Sequence, residues 1–234
     1  MRKFFSYITL LLIVLPFMSC QEKKAEANVP KWILSMVSES KNTSVETDFS
    51  NILSDKRVPY IGYIGTEYQK FTIDIQKVQR TDDNQYAVSG ITAVKSNRCN
   101  FHGTINIVEN REFTHPTYGV DDSMKGQFKR RGCSIAKYNF EEEKSQTGSG
   151  VFTGYLLFYW YETNDGKFVY DDIDSHSDSY CNIQYAGTWT SNKTKKSKPC
   201  AWGQYRVPNS GDLDIGAGDF SVNPKYAKNG WEKK

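Results

Sequence analysis

The sequence predicts a mainly β protein, an antiparallel barrel or sandwich of about eight strands with a short helix ahead of it. Three observations carry that expectation. From Tyr60 onward apolar residues alternate with polar ones at a period of two, the spacing of a half-buried strand. Short clusters of Asp, Asn and Gly separate these runs, as hairpin turns require. The 234 residues are 38% apolar and 14% aromatic, enough to bury a core and too much for a disordered chain. All-β chains of roughly 200–250 residues often form one domain. A net charge of +3 lacks the basic footprint of a nucleic-acid binder.

The elements follow in chain order. Pro30 suits a first helical position, and Ile33, Met36 and Val37 fall on one face of the turns after it. Residues 38–55 are polar and read as loop. Phe71, Ile73 and Ile75 alternate with polar partners, and Tyr86, Val88 and 91–94 repeat the pattern across Thr81-Asp82-Asp83-Asn84. Two alternating runs around such a cluster make a hairpin. Phe101, Ile105 and Ile107 give a third run, and 135–140 a weaker fourth. Residues 151–161 are apolar on both faces, which predicts a strand covered on both sides. Asn164-Asp165-Gly166 supplies a turn that tolerates positive φ, leading into 167–173. Strands at 180–190 and 202–207 complete about eight.

One small pattern recurs. Phe101-His102-Gly103-Thr104-Ile105, Phe152-Thr153-Gly154-Tyr155-Leu156 and Tyr185-Ala186-Gly187-Thr188-Trp189 each read aromatic-x-Gly-x-apolar. Gly weakens a strand interior unless the sheet bends or another group packs closely there. A sheet coiling towards closure supplies that reason, so a barrel resembling the calycins stands ahead of a sandwich.

The N-terminus reads as an address. Arg2 and Lys3 precede a short apolar run over 4–15, and polarity takes over at Gln21-Glu22-Lys23-Lys24. That is the layout of a secretory signal, too short to span a bilayer comfortably. Ser19 directly before Cys20 resembles the lipobox of bacterial lipoproteins, with Phe17 where that motif usually carries Leu, Val or Ile. The resemblance implies cleavage before Cys20 and acylation, palmitate included, of Cys20. The usual inner-membrane retention Asp is replaced by Gln21, which implies anchoring in the outer membrane. The expected organisation is a signal peptide over 1–19, an acylated Cys with a tether over 20–29, and one β-rich domain over 30–234. Removing 1–19 takes Arg2 and Lys3 with it and leaves 28 basic against 27 acidic residues. Long-range steering by net charge is therefore not expected.

With Cys20 set aside, Cys99, Cys133, Cys181 and Cys200 remain. An even count in an exported chain predicts two disulfides. Cys99–Cys133 and Cys181–Cys200 close the shortest loops and are favoured. The close ligand pairs of a zinc site do not occur.

Chemistry-bearing residues are sparse. Asp172, Asp174, His176 and Asp178 stand at two-residue steps. On an extended segment this would place Asp172, Asp174 and Asp178 on one side as oxygen ligands for Ca²⁺. The EF-hand pattern fails at Ser177 and Ile183, and capped turns are the commoner use of such residues, so no metal is assigned. Asp212, Asp214 and Asp219, together with Asp171 and Asp172, are the carboxylates available for an acid–base pair. No nucleophile elbow accompanies His102, His115 or His176. The run Lys193-Thr194-Lys195-Lys196-Ser197-Lys198 reads as a solvated loop. Tyr159, Trp160, Trp189 and Trp202 are the candidate ligand-contacting aromatics, with core packing as their alternative use. The expected function is a lipid-anchored envelope protein, a binding or structural module for a glycan, a small apolar ligand or another envelope protein. It needs no cofactor and contacts no nucleic acid. The alternative is a secreted polysaccharide hydrolase using Asp carboxylates. The whole resembles exported β-rich lipoproteins of Gram-negative bacteria.

Overall fold

Alternation at period two builds long strands in the computed structural model, which describes residues 29–232. The elements are α1 (Lys31–Met36), β1 (Ser40–Asn42), α2 (Ser50–Leu53), β2 (Ile61–Ile64), β3 (Gln69–Asp82) and β4 (Gln85–Val94). They continue with β5 (Asn97–Phe113), β6 (Phe128–Glu142), β7 (Gly150–Thr163), β8 (Phe168–Tyr170), β9 (Asn182–Ser191) and β10 (Ser197–Gln204). Eight strands pair in the order β5-β4-β3-β2-β10-β9-β7-β6, each antiparallel to the next, and β6 pairs back to β5. The ring closes as a barrel. Short strands β1 and β8 add to its outer ends on β5 and β7.

The interior is packed with rings. Trp202 is fully buried and stacks on Tyr185 with centroids 4.7 Å apart. Tyr138, Phe71 and Phe152 lie within 5.9 Å of it. Each such side chain stabilises by about 1.5–3 kcal/mol through its buried area. One barrel end is stoppered by α2, whose neighbour Phe49 meets Phe158 edge-on at 5.1 Å and whose Ile52 and Leu53 are buried. The Phe49 N–H donates to Tyr86 Oη at 3.0 Å. At the other end the turns over 65–68, 95–96, 143–149 and 192–196 come together, and we call this the hairpin end. There Glu142 points inward and is buried.

The outer wall is covered on one side only. Ile33 of α1 and Val37 just after it lie on Cys133 and Ile135 of β6 and Leu157 of β7. This cover explains why residues 151–161 are apolar on both faces. The C-terminal segment returns with Val207, Leu213 and Trp231 onto Tyr63, Ala186 and Ala201 of β2, β9 and β10. The outer face of β3 to β5 stays polar, and His102 is exposed on it as expected.

The recurring glycines mark close approach. Gly154 and Gly187 face each other across β7 and β9. A Cβ on Gly187 would lie 2.0 Å from the Thr153 carbonyl oxygen, and one on Gly103 2.0 Å from that of Asn139. Neither position has room for a side chain.

Several expectations are corrected. The segment 38–55 is not all loop, because Phe49, Ile52 and Leu53 make the stopper; three apolar residues in a polar stretch carry too little periodicity to announce it. The strand expected at 167–173 shrinks to 168–170, and the one expected at 202–207 starts earlier, at Ser197. The disulfides are not formed: Cys99, Cys133, Cys181 and Cys200 are free thiols. Cys133 stands opposite Arg111, twelve positions along β5 from Cys99, or about 40 Å at the strand rise. Cys200 stands opposite Gly187, six positions beyond Cys181 and about 20 Å from it. A disulfide needs Cα atoms within roughly 7 Å. Short sequence spacing misleads when both cysteines lie along one rigid ladder. Cys20 and the expected signal peptide lie outside the described residues.

Candidate functional site

The strongest site lies on the outer wall near the stoppered end. The strand β6 aims alternate side chains outward, and Arg131, two residues before Cys133, sits there only 7% exposed. A guanidinium so buried needs partners. The loop after β8 supplies them. Arg131 Nε donates to Asp171, itself 1% exposed, and Nη1 pairs with Asp174 Oδ2 at 2.7 Å. Nη1 also donates to the Thr117 carbonyl oxygen at 3.1 Å. Nη2 has no protein partner among the described residues.

Asp171 is tied down further. Its second carboxylate oxygen accepts from Ile173 N at 3.1 Å, and its carbonyl oxygen accepts from Asn182 Nδ2 and from the Tyr180 hydroxyl. Burial pushes the Asp171 carboxyl above the ordinary carboxylate range, against the pull of Arg131. Burial works against the Arg131 charge as well, but Asp171 and Asp174 outweigh it and hold the guanidinium charged. The Tyr180 hydroxyl is raised above its usual value by burial and by Asp171. Burial also pushes the Cys181 thiol up to about 12.

These groups wall a pocket of about 310 Å³ that also takes in Met36, Phe113, His115 and Tyr159. That volume is at the lower end for a small-molecule site. Phe113 and Tyr159 stack on each other with centroids 5.9 Å apart. One wall is thus aromatic and the other carries a buried cation with a free N–H edge. A larger depression of about 840 Å³ lies between 42–46, 80–84 and 107–110. It contains neither an aromatic side chain nor a buried charged group, so it has less to recognise a ligand with.

The residues singled out by sequence divide between these places. Tyr159 lines the pocket, half-buried. Trp160 and Trp202 are fully buried inside the barrel, and Trp189 is half-buried at the hairpin end, where its Nε1 donates to Glu142 at 3.0 Å. The barrel interior is therefore a filled core and not a cup. The three aspartates do not converge. Asp172 pairs with Arg57, Asp174 with Arg131, and Asp178 is exposed. The segment 171–180 is a chain of turns, with Ser175 N bonded to the Asp172 carbonyl and Ser177 N to that of Asp174. Turning breaks the two-residue stepping that an extended strand would have kept. Among the described residues no three His, Cys, Asp or Glu side chains group as metal ligands. Asp214 caps a loop and pairs with Arg206 at 2.9 Å, and Asp212 pairs with Lys225.

Sequence reasoning missed Arg131, Phe113 and Tyr180. The usable signal was Arg131 itself, an arginine on the same strand face as Cys133 and Ile135. A cation in an apolar outward row implies a buried anion opposite.

No family model matches the chain, and neither a curated protein nor a solved structure matches it.

Proposed function

We propose that this chain is a lipid-anchored envelope protein, held through Cys20 in the outer membrane, whose barrel presents the Arg131 pocket to a sugar unit of a glycan. The observation that carries the reading is the pairing of walls in that pocket. A pyranose has an apolar face that stacks on aromatic rings and hydroxyls that accept from a fixed N–H edge. Phe113 and Tyr159 offer the rings, and Arg131 Nη2 offers the donor. Arg131 is already held by Asp171 and Asp174, so a ligand meets a preorganised group and little side-chain entropy is lost on binding. The nine steps of chain from Cys20 to Val29 reach at most about 32 Å when extended, enough to hold a barrel beside its anchor.

The hydrolase alternative gains less. Asp171 and Asp174 both lie on one guanidinium, whereas glycoside cleavage needs two carboxyl groups facing each other across the sugar.

Titration of the protein with a panel of mono- and oligosaccharides, followed by ¹H–¹⁵N NMR, tests the site. Shifts confined to 113–117, 131, 159 and 171–181, lost in Tyr159→Ala, are expected. Absence of shifts there with every sugar of the panel refutes the glycan assignment. The anchor is tested separately by incorporation of labelled palmitate, which Cys20→Ala should abolish.

A further inference from the structure

The near-neutral chain gathers unpaired positive charge at one end of the barrel. The antiparallel meander sends alternate turns to opposite ends. The turns at the hairpin end carry Lys95, Lys144, Lys193, Lys195 and Lys196, and Lys198 follows at the start of β10, all exposed. None of the six forms an ion pair among the described residues. Only Glu67 and Glu143 oppose them within those turns. At the stoppered end charge is paired instead: Asp83, Asp122, Asp165 and Asp172 form ion pairs with Arg80, Lys125, Lys167 and Arg57.

The basic tips are joined into one surface. Asn192 N donates to the Ser149 carbonyl oxygen at 3.0 Å, Gly65 N to that of Pro199 at 2.7 Å, and Asn100 N to Gln146 Oε1 at 2.7 Å. Between the 144–149 and 192–195 turns lies a groove of about 530 Å³. Its wall is Lys144, Lys193 and Lys195 with Ser145, Thr147 and Asn192 between them. Ammonium groups beside hydroxyl and amide donors make a phosphate-binding chemistry.

We propose that the hairpin end docks on a membrane surface of anionic phospholipid headgroups. The composition of the tips selects this partner. The large exposed apolar side chains, Leu34, Val108, Val120 and Ile215, all lie elsewhere, so the tips lack the apolar centre of a protein interface. Their rings are already engaged, Tyr68 edge-on with Tyr63 and Tyr226 and Trp189 with Phe152 and Lys198, so neither is a free platform for the bases of a single-stranded nucleic acid. A planar anionic surface meets all of these unpaired ammonium groups at once. The proposal is independent of the sugar pocket and of acylation at Cys20.

The test uses the full chain carrying Cys20→Ala, so that no acyl tail contributes, and phosphatidylcholine vesicles with and without phosphatidylglycerol. Hydrophobic insertion does not distinguish the two, so the difference in co-sedimentation reads the basic end. The expected preference for the anionic vesicles is about fivefold per engaged lysine and falls as salt screens the charges. Changing Lys144, Lys193 and Lys195 together to Gln should reduce it about a hundredfold with the melting temperature unmoved. Equal sedimentation with both vesicles, or full binding by the triple variant, overturns the proposal. So does displacement by inorganic phosphate at an ionic strength where chloride has no effect, which assigns the groove to free phosphate. Retention on duplex DNA without vesicle preference overturns it as well.

Discussion

The hairpin end depends on one buried carboxylate, and its replacement separates hydrogen bonding from charge. Glu142 is 5% exposed. Its Oε2 accepts from Gly150 N at 2.7 Å and from Trp189 Nε1 at 3.0 Å, and its Oε1 accepts from the Thr92 hydroxyl. These bonds join β4, β6, the start of β7 and β9. Glu142→Ala leaves the Gly150 and Trp189 N–H groups unmet, each costing about 1–3 kcal/mol, with Thr92 keeping the Cys99 carbonyl oxygen at 3.4 Å, while releasing the desolvation penalty of a buried charge, which is several kcal/mol. Glu142→Gln releases the same penalty. Its amide oxygen can replace Oε2 towards Gly150 and Trp189, and its amide nitrogen can donate to Thr92, whose hydroxyl rotates to accept. Gln should therefore lie within about 1 kcal/mol of the parent, and Ala about 3 kcal/mol or more below Gln. For a barrel of this size that gap is about 6–12 °C in melting temperature. Urea unfolding followed by tryptophan fluorescence gives the free energies. If Gln loses as much as Ala, the negative charge itself holds the end together and the hydrogen-bond account is wrong.

Three further outcomes are expected. Reducing and non-reducing gels of the protein should be identical, and native alkylation at pH 8 should be slow at Cys133 and Cys200, whose thiols burial pushes up to about 12, leaving roughly one thiolate in ten thousand. Mass spectrometry after unfolding should then count all four thiols, whereas a persistent loss of two mass units per cysteine pair counts against the fold. The Glu162 carboxyl is held below the ordinary range by Arg130, bonded at 2.6 Å. Its contribution to stability is present above about pH 4.3, the unfolded value, and is lost as pH falls through the lower folded value. Glu162→Gln should therefore narrow the difference in urea midpoint between neutral and acid solution, and an unchanged difference refutes the ion pair's role. Gly187→Ala should destabilise by about 1–3 kcal/mol through overpacking, measured by the same denaturation, and a neutral result means that the two facing strands separate more easily than their spacing suggests.

The barrel was legible because its information is local. Alternation over Phe71–Ile75, the Asp/Asn turn at 81–84 and Gly166 each specify backbone geometry within a few residues. The glycine trio even foretold where the wall closes tightly. What failed were inferences that needed distance. Cys99 and Cys133 are 34 positions apart in a chain that runs straight for much of that length, so proximity in sequence became separation in space. Residues 49–53 form a stopper through contacts with Tyr86, Phe158 and Phe168, none of them nearby in the chain.

The site was illegible for the same reason, with a further physical turn. Asp171, Asp172 and Asp174 looked like potential ligands because acidic residues attract attention as a cluster. Their meaning lies with Arg57 and Arg131, 115 and 40 positions away respectively. A cluster of like charges in a sequence is as often a set of separate ion pairs as a site, and only the fold decides. Net charge is a coarser guide still: it says nothing of where charge sits, and an antiparallel meander sorts its odd and even turns to opposite ends. Whatever charge the alternate turns carry is separated by the length of a strand, about 35 Å for ten residues. That distance exceeds the Debye length of about 8 Å at physiological salt, so each end presents its own field to solution and the neutral sum is never felt at either.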